Sequence, residues 1–241
     1  MGKHFICTRL SADIQTSPSG YRAFQWGQNL ELFLLDAHSY RSRNDLADTQ
    51  PTHKTLLGSA QFVWLKQQLQ DTQATWKIIS SDVPLSIPTG SQAHMFGRDG
   101  WANGSGPDSS AQTGQTGFDR ELLDLLHILD ETNVNDIVFI TTDVHFTTPI
   151  RYALDANGDG DLLIFHELIT GPLNAGMAPA VTQTQLDPTL NPRLLYAQDD
   201  LFNFGFIRNQ PHADETMHLL ADVRAENGHI QPGSVLDLPP Q

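Results

Sequence analysis

The sequence predicts an α/β fold around a largely parallel sheet, and three observations carry that prediction. Three short, continuous apolar runs read as strands buried on both faces. Two stretches of helical periodicity separate them, and each run closes on polar residues. Strand, helix, strand, helix, strand in that order calls for βαβ crossovers.

Residues 1 to 28 are mixed and turn-rich, with Ser17-Pro18-Ser19-Gly20 at their centre, and are expected to form an irregular lead-in. One domain then occupies 29–241. Leu32-Phe33-Leu34-Leu35, closed by Asp36, is the first strand. Within 57–71, Phe62, Leu65 and Leu69 fall at helical spacing behind a Gln/Lys face. Trp76-Lys77-Ile78-Ile79 is the second strand; Ser80-Ser81-Asp82 closes it and Pro84 stops it. Residues 88–117 are rich in Gly, Ser, Asn and Pro and too long for an ordinary connection, which points to a functional lid containing Trp101. Thr116 offers a capping side chain to a helix carrying Phe118, Leu122, Leu125, Leu126 and Leu129. Ile137-Val138-Phe139-Ile140 is the third strand and runs into Thr141-Thr142-Asp143-Val144-His145. Beyond residue 148 the pattern changes to a hairpin, 150–154 with 162–168, and further strands near 204–207, 217–223 and 235–238. The Pro/Asn-rich stretch 186–193 reads as a loop.

Composition excludes several classes. With 14 Lys and Arg against 28 Asp and Glu in 241 residues, the formal net charge is −14, so the basic surface that a nucleic-acid duplex requires is missing. Apolar runs of four residues fall far short of the roughly 20 that span a membrane. Met1-Gly2-Lys3-His4-Phe5-Ile6-Cys7 has no apolar stretch of export-signal length. Cys7 is the one cysteine, which rules out an internal disulfide and a thiolate zinc cluster and fits a small buried apolar residue.

In open α/β sheets ligands bind beyond the carboxyl ends of the strands, so the closing residues are the candidates. Asp36 closes the first run, Ser80, Ser81 and Asp82 the second, Asp143 and His145 the third. On extended chain Asp143 and His145 point to one face and offer a hard carboxylate oxygen and an imidazole nitrogen to a metal; a strand-end cap beside a hydrogen-bonded histidine is the plainer alternative. No G-x-S-x-G elbow is present, Asn103-Gly104-Ser105-Gly106-Pro107 lies in the long loop, and Ser80 and Ser81 read as turn hydroxyls. Asp155, Asn157 and Asp159 open like a calcium loop, but His166 stands at the twelfth position where Glu is needed, so a hairpin turn competes with a weak calcium site. His166 and Glu167 alternate along the next strand, and one of them should face inward. Arg41, Arg98 and Arg151 are the arginines to weigh as anion grips, against ordinary surface ion pairs.

Taken together, these segments resemble the C-terminal part of a PhoD-like alkaline phosphatase, a branch of the metallophosphoesterases. The resemblance rests on Trp26-Gly27, Glu31-Leu32-Phe33-Leu34-Leu35-Asp36-Ala37-His38-Ser39-Tyr40-Arg41, Ser80-Ser81-Asp82-Val83-Pro84-Leu85-Ser86 and Asp99-Gly100-Trp101. It continues through Thr142-Asp143-Val144-His145-Phe146, His166-Glu167-Leu168-Ile169-Thr170-Gly171-Pro172-Leu173 and Leu186-Asp187-Pro188-Thr189-Leu190-Asn191-Pro192. It implies an αββα sandwich, incomplete at the N-terminus, that hydrolyses phosphate mono- or diesters at a centre of iron and calcium, with zinc or manganese as alternatives. Asp143 and His145 would be metal ligands, with Asp36, Arg41, Ser81, Asp99, His166 and Glu167 supporting them or the substrate. A periplasmic or extracellular setting is implied as well. Thr142 stands where the family usually has glycine, and His38 where arginine is common, which shifts anion gripping to Arg41. The family's earlier metal-binding segments have no counterpart before residue 28, so a fragment with doubtful autonomous catalysis is expected. A non-catalytic calcium-binding secreted module built on Asp155, Asn157 and Asp159, or an inactive remnant, are the competing readings.

Overall fold

A computed structural model describes residues 20–49, 54–90, 96–104 and 115–241. The lead-in up to residue 19 with Cys7, and much of the polar stretch 88–117 including Ser105-Gly106-Pro107, lie outside the described residues.

Among the described residues, ten strands form two sheets. The seven-stranded sheet contains β1 (Arg22–Trp26), β2 (Leu30–Leu34), β3 (Trp76–Ser80), β4 (Ile137–Thr141), β5 (Thr148–Leu154), β6 (Leu163–Ile169) and β7 (Arg193–Leu194), in the order β1-β2-β3-β4-β6-β5-β7. Its centre, β2-β3-β4-β6, is parallel, and β1, β5 and β7 are antiparallel to their neighbours. The three-stranded sheet, β10-β9-β8, joins β8 (Asn203–Pro211), β9 (Met217–Ala225) and β10 (Leu236–Leu238), all antiparallel.

Burial on both faces explains why the central strands read as unbroken apolar runs. On one face α1 (Gly58–Asp71) and α2 (Asp119–Glu131) bury Leu65, Leu69, Leu122, Leu125, Leu126 and Leu129 against Phe33, Ile79, Phe139 and Phe165. On the other, Leu219, Ala221 and Leu238 of the small sheet pack on Trp76, Ile78, Val138 and Leu168. The Trp76 indole N–H donates to the Met217 carbonyl at 2.7 Å, tying the start of β3 to the start of β9. Among the described residues the layers are helices, large sheet and small sheet.

Two expectations need correction. Residues 22–26 are not irregular: they form β1, an edge strand folded back on β2 through Gly27, whose φ of 71° suits a residue without Cβ. Its side chains are mostly exposed or half-buried, so it lacks the apolar run that betrays a central strand. Thr116 does not cap α2 either. Its hydroxyl accepts from the Arg98 amide at 2.9 Å, Phe118 holds the cap position, and the first turn is served by Asp48, which accepts from the Arg120 amide at 3.1 Å.

Polar groups lock the loops at this end. The Lys54 ammonium donates to the carbonyls of Asn44 at 2.8 Å, Leu46 at 3.0 Å and Thr116, and lies 4.2 Å from the Phe118 ring centre. Glu121 of α2 reaches across to accept from the Leu56 and Leu57 amides at 2.7 and 3.0 Å, holding the start of α1. Asp119 accepts from the Asn103 side chain at 2.6 Å; burial, then the nearby Asp187 charge, push its carboxyl up to about 7.

Candidate active site

The carboxyl ends of β2, β3 and β4 align, with Leu34 opposite Ser80 and Ser80 opposite Ile140. The ladder continues one step further, since the Leu35 amide donates to Ser80 and the Ser81 amide to Ile140. Three loops therefore leave the sheet side by side, at the place where this topology gathers ligands.

Asp143 and His145 do not lie on extended chain. Both follow β4 in a bend with left-handed backbone, at φ of 81° and 62°. Aspartate and histidine tolerate this conformation better than most residues, yet two such positions within three residues concentrate strain where side chains are being aimed. Thr142 anchors the bend by donating to the Asp82 carbonyl at 3.0 Å, and the His145 carbonyl accepts from the Ala178 amide at 3.1 Å. The Thr142 side chain thus has an anchoring role where the family usually has glycine.

Charges converge on Asp143. Burial, then the carboxylate of Asp99, raise its proton affinity, while His145, His38 and Arg41 pull the other way. Asp99 itself has a buried Oδ1 with no hydrogen-bond partner. Arg41 is held beside it by a 3.1 Å bond from Nη1 to the Asp99 carbonyl. Asp82 accepts from the Ala37 amide at 3.2 Å, with His38 Nε2 at 3.8 Å. Sequence reasoning places Asp82 among the strand-closing candidates but gives neither it nor His38 a role in the site. The signal available was their position: each lies at or just past a strand end, as Asp143 does.

The other candidates have different surroundings. Asp36 accepts from the His38 and Ser39 amides at 3.2 and 2.9 Å. Its burial would raise its proton affinity, but hydrogen bonds from Ser39 and His38 outweigh that and leave it below the usual range. It shapes the turn that presents His38. Ser81 is buried, donates to the Val83 carbonyl and accepts from the Trp101 indole at 3.2 Å, which pins the Trp101 loop onto the sheet. Glu167 is the inward member of its pair. Fully buried, it accepts from Thr141 Oγ1 at 2.6 Å, the Leu85 amide at 2.9 Å and the Tyr152 hydroxyl at 2.5 Å. Burial raises its proton affinity despite those donors.

His166 sits mid-strand opposite Val138, on the face turned to the small sheet, and burial followed by the Arg151 charge lowers it to about 4. The structure does not bring it to the strand-end cluster. Asp155, Asn157 and Asp159 form the β5–β6 hairpin turn. Asp155 accepts from the Gly158 and Gly160 amides, Asn157 from the Asp159 amide and Asp159 from the Asp161 amide.

The strand-end cluster combines carboxylate oxygens with imidazole nitrogens and a guanidinium. A family model described as PhoD-like phosphatase matches residues 8–217. The chain belongs to the PhoD-like phosphatase family. It is 21% identical over 201 residues to alkaline phosphatase D of Bacillus subtilis (strain 168), an alignment covering 77% of this chain and 32% of the relative. A solved structure described as that of PhoD superposes with a TM-score of 0.54 at 15% identity, covering 92% of this chain and 44% of the solved one. The chain therefore spans about a third of the curated relative and under half of the solved structure, and shares the latter's metallophosphoesterase-like fold.

Proposed function

We propose that this PhoD-like chain contributes to a metal-dependent phosphoesterase that hydrolyses phosphate mono- or diesters, with Asp143 and His145 as metal ligands. The observation that carries the reading is the strained pair itself, held at the carboxyl edge of the sheet with the Asp99 carboxylate near enough to act on Asp143.

The donor types suit a cation, and holding one would require Asp143, His145 and Asp99 to close in, because among the described residues their ligand atoms do not all lie within 4.8 Å of one another. The Asp99 carboxylate disfavours the charge on Asp143, and a positive ion at Asp143 would relieve that repulsion. Carboxylate oxygen with imidazole nitrogen suits iron, zinc or manganese, and the carboxylates alone suit calcium. Asp143, His145 and Asp99 would hold the ion, with Asp82 and His38 next to them. When bound, it supplies Lewis acidity toward the phosphoryl oxygens and lowers the pKa of a water.

The chain's own groups bind and orient the ester. Arg41, braced by the Asp99 carbonyl, keeps further guanidinium N–H groups to grip phosphate oxygens. Glu167 positions Thr141, and so the β4 end from which Asp143 departs, through the buried Thr141 hydroxyl. The bond from the Trp101 indole to Ser81 fixes Trp101 to the end of β3. A periplasmic or extracellular setting goes with the family's enzymes. The calcium-module reading gains no support, because the side-chain oxygens of Asp155, Asn157 and Asp159 already accept the turn's amides.

The test is metal analysis of the purified chain beside hydrolysis of chromogenic phosphate mono- and diesters, with and without added iron and calcium. Asp143→Ala and His145→Ala are expected to release bound metal. Metal content and turnover unchanged by both substitutions would defeat the reading.

A further inference from the structure

The two sheets do not close on each other along their whole length. Toward the carboxyl end of the central strands a cleft of about 450 Å³, measured to its open mouth, lies between them. Ile140, Leu168 and Ile169 form its floor on β4 and β6, and Ile207, Val223 and Leu236 its roof on β8, β9 and the start of β10. The cleft accounts for an anomaly of burial. Val138 and Phe139 are fully buried, as residues of a central parallel strand should be, yet Ile140, next in the same strand, is only half-buried.

The walls offer little to a polar ligand. Asp222, in the roof, is held by the Arg224 guanidinium, with Nη2 at 3.2 Å, and by Arg208 at 3.4 Å, so its charge is already neutralised. The Ser234 hydroxyl accepts from the Val223 amide at 3.1 Å and donates to the Gln231 carbonyl at 2.8 Å. Half-buried Thr170 is the other polar side chain in the lining. An uncharged aliphatic group suits such a surface, because it replaces water that touches branched hydrocarbon. The volume is that of a small-ligand site. A single turn of docked helix, about 10 Å across and 5.4 Å long, would take roughly 420 Å³, so a helical partner does not fit.

Position decides which small group belongs there. The bend 142–147 that carries Asp143 and His145 leaves the end of β4 and enters β5 at Thr148; Ile140 before it and Pro149 after it both line the cleft. Thr147 fastens the bend to β6, its hydroxyl donating to the Ile169 carbonyl at 2.8 Å. Three residues of chain, from Ile140 to Asp143, span at most about 11 Å. We propose that the cleft receives the alcohol portion of the phosphate ester and that this alcohol is an uncharged aliphatic one, an assignment that rests on the phosphoesterase reading. With the phosphoryl group gripped by Arg41 beside Asp143, the ester substituent extends past Ile140 between the sheets, where each methylene exchanges water for aliphatic side chains.

Binding of n-alkylphosphonates from methyl to hexyl, which carry the headgroup and resist hydrolysis, is measured calorimetrically on the full chain with iron and calcium added. Affinity is expected to rise about fourfold per methylene, from about 0.8 kcal/mol per buried CH₂, and to level off when the cleft is full. Ala221→Leu, which fills the cleft from β9, should flatten that slope; Leu236→Phe fills it from β10 if Ala221→Leu does not fold. Asp143→Ala should weaken every member of the series by the same factor and leave the slope intact. A flat series in the unaltered chain, or a slope that survives the filling substitutions, overturns the proposal and leaves the phosphoesterase reading standing. A slope with no effect of Asp143→Ala overturns that reading and, with it, the assignment of the cleft to the ester. A series that does not bind at all overturns both.

Discussion

The two ends of the central sheet carry polar clusters of opposite construction. At the carboxyl end, Asp99, Asp143 and Arg41 come from three separate loops, backbone strain aims Asp143 and His145, and an Asp99 oxygen has no partner. At the amino end, His212, Asp214 and His218 come from a single hairpin, and both carboxylates are already engaged, Asp214 by Thr216 and Asp237 by His218. Parallel strands collect residues distant in sequence and leave them unsatisfied until a ligand arrives. A hairpin collects neighbours and satisfies them locally. The first arrangement suits chemistry on a passing substrate, the second suits a permanent staple.

The sharpest way to break this comparison is Asp143→Ala. Removing a carboxylate that holds a catalytic cation forfeits several kcal/mol of transition-state stabilisation, so ester hydrolysis supported by the carboxyl end should fall about a thousandfold. The melting temperature should fall only slightly, because alanine tolerates the left-handed backbone at φ 81° less well than aspartate; a loss of folding as large as the loss of turnover would show that Asp143 is structural. Next is Glu167→Ala, which leaves the Leu85 amide and the Thr141 and Tyr152 hydroxyls buried without an acceptor. At about 1–3 kcal/mol for each unsatisfied group, a total loss of roughly 3–9 kcal/mol is expected in urea unfolding.

A pH series sharpens the contrast. The Asp119 carboxyl is raised from 3.8 to about 7 by burial and by Asp187. The folded state therefore holds a proton that the unfolded state releases, and stability falls as pH rises between those two values. Asp119→Asn keeps the acceptor for Asn103 and removes the charge. It should stabilise the chain by roughly 2 kcal/mol at pH 8 and give no gain below pH 4. A pH-independent difference between the two chains would mean that Asp119 does not titrate in this window. The smallest effect is expected from Arg41→Lys, which keeps a charge but loses the fork. It should raise KM for a phosphate ester about tenfold, near 1.4 kcal/mol, with kcat little changed; a fall in kcat alone would place Arg41 in the reacting step instead.

What the sequence revealed follows from burial. β2, β3 and β4 were legible because both their faces are covered, and β1 was not, because an edge strand carries no apolar run. Asp143 and His145 stood out by type and spacing, but their left-handed backbone did not, since it is imposed by the bend that Thr142 and Ala178 anchor. Asp48 and Lys54 were invisible as loop locks because the bonds that join separate segments reach 72 residues to Arg120 and 62 to Thr116. The amino-end cluster escaped for a different reason: His212, Asp214 and His218 read as an ordinary polar turn until β10 brings Asp237 alongside.

The Lys54 cage has a practical consequence. All three ammonium hydrogens are taken by carbonyls of two separate segments, and the Phe118 ring lies against the same nitrogen. An acylating reagent needs that nitrogen's lone pair, so Lys54 becomes labelled only when the segment carrying Asn44 and Leu46 parts from Thr116. Half-buried Lys66, on the outer side of α1, would be modified early, whereas the slow modification of Lys54 would clock the opening of the loops that surround the strand ends.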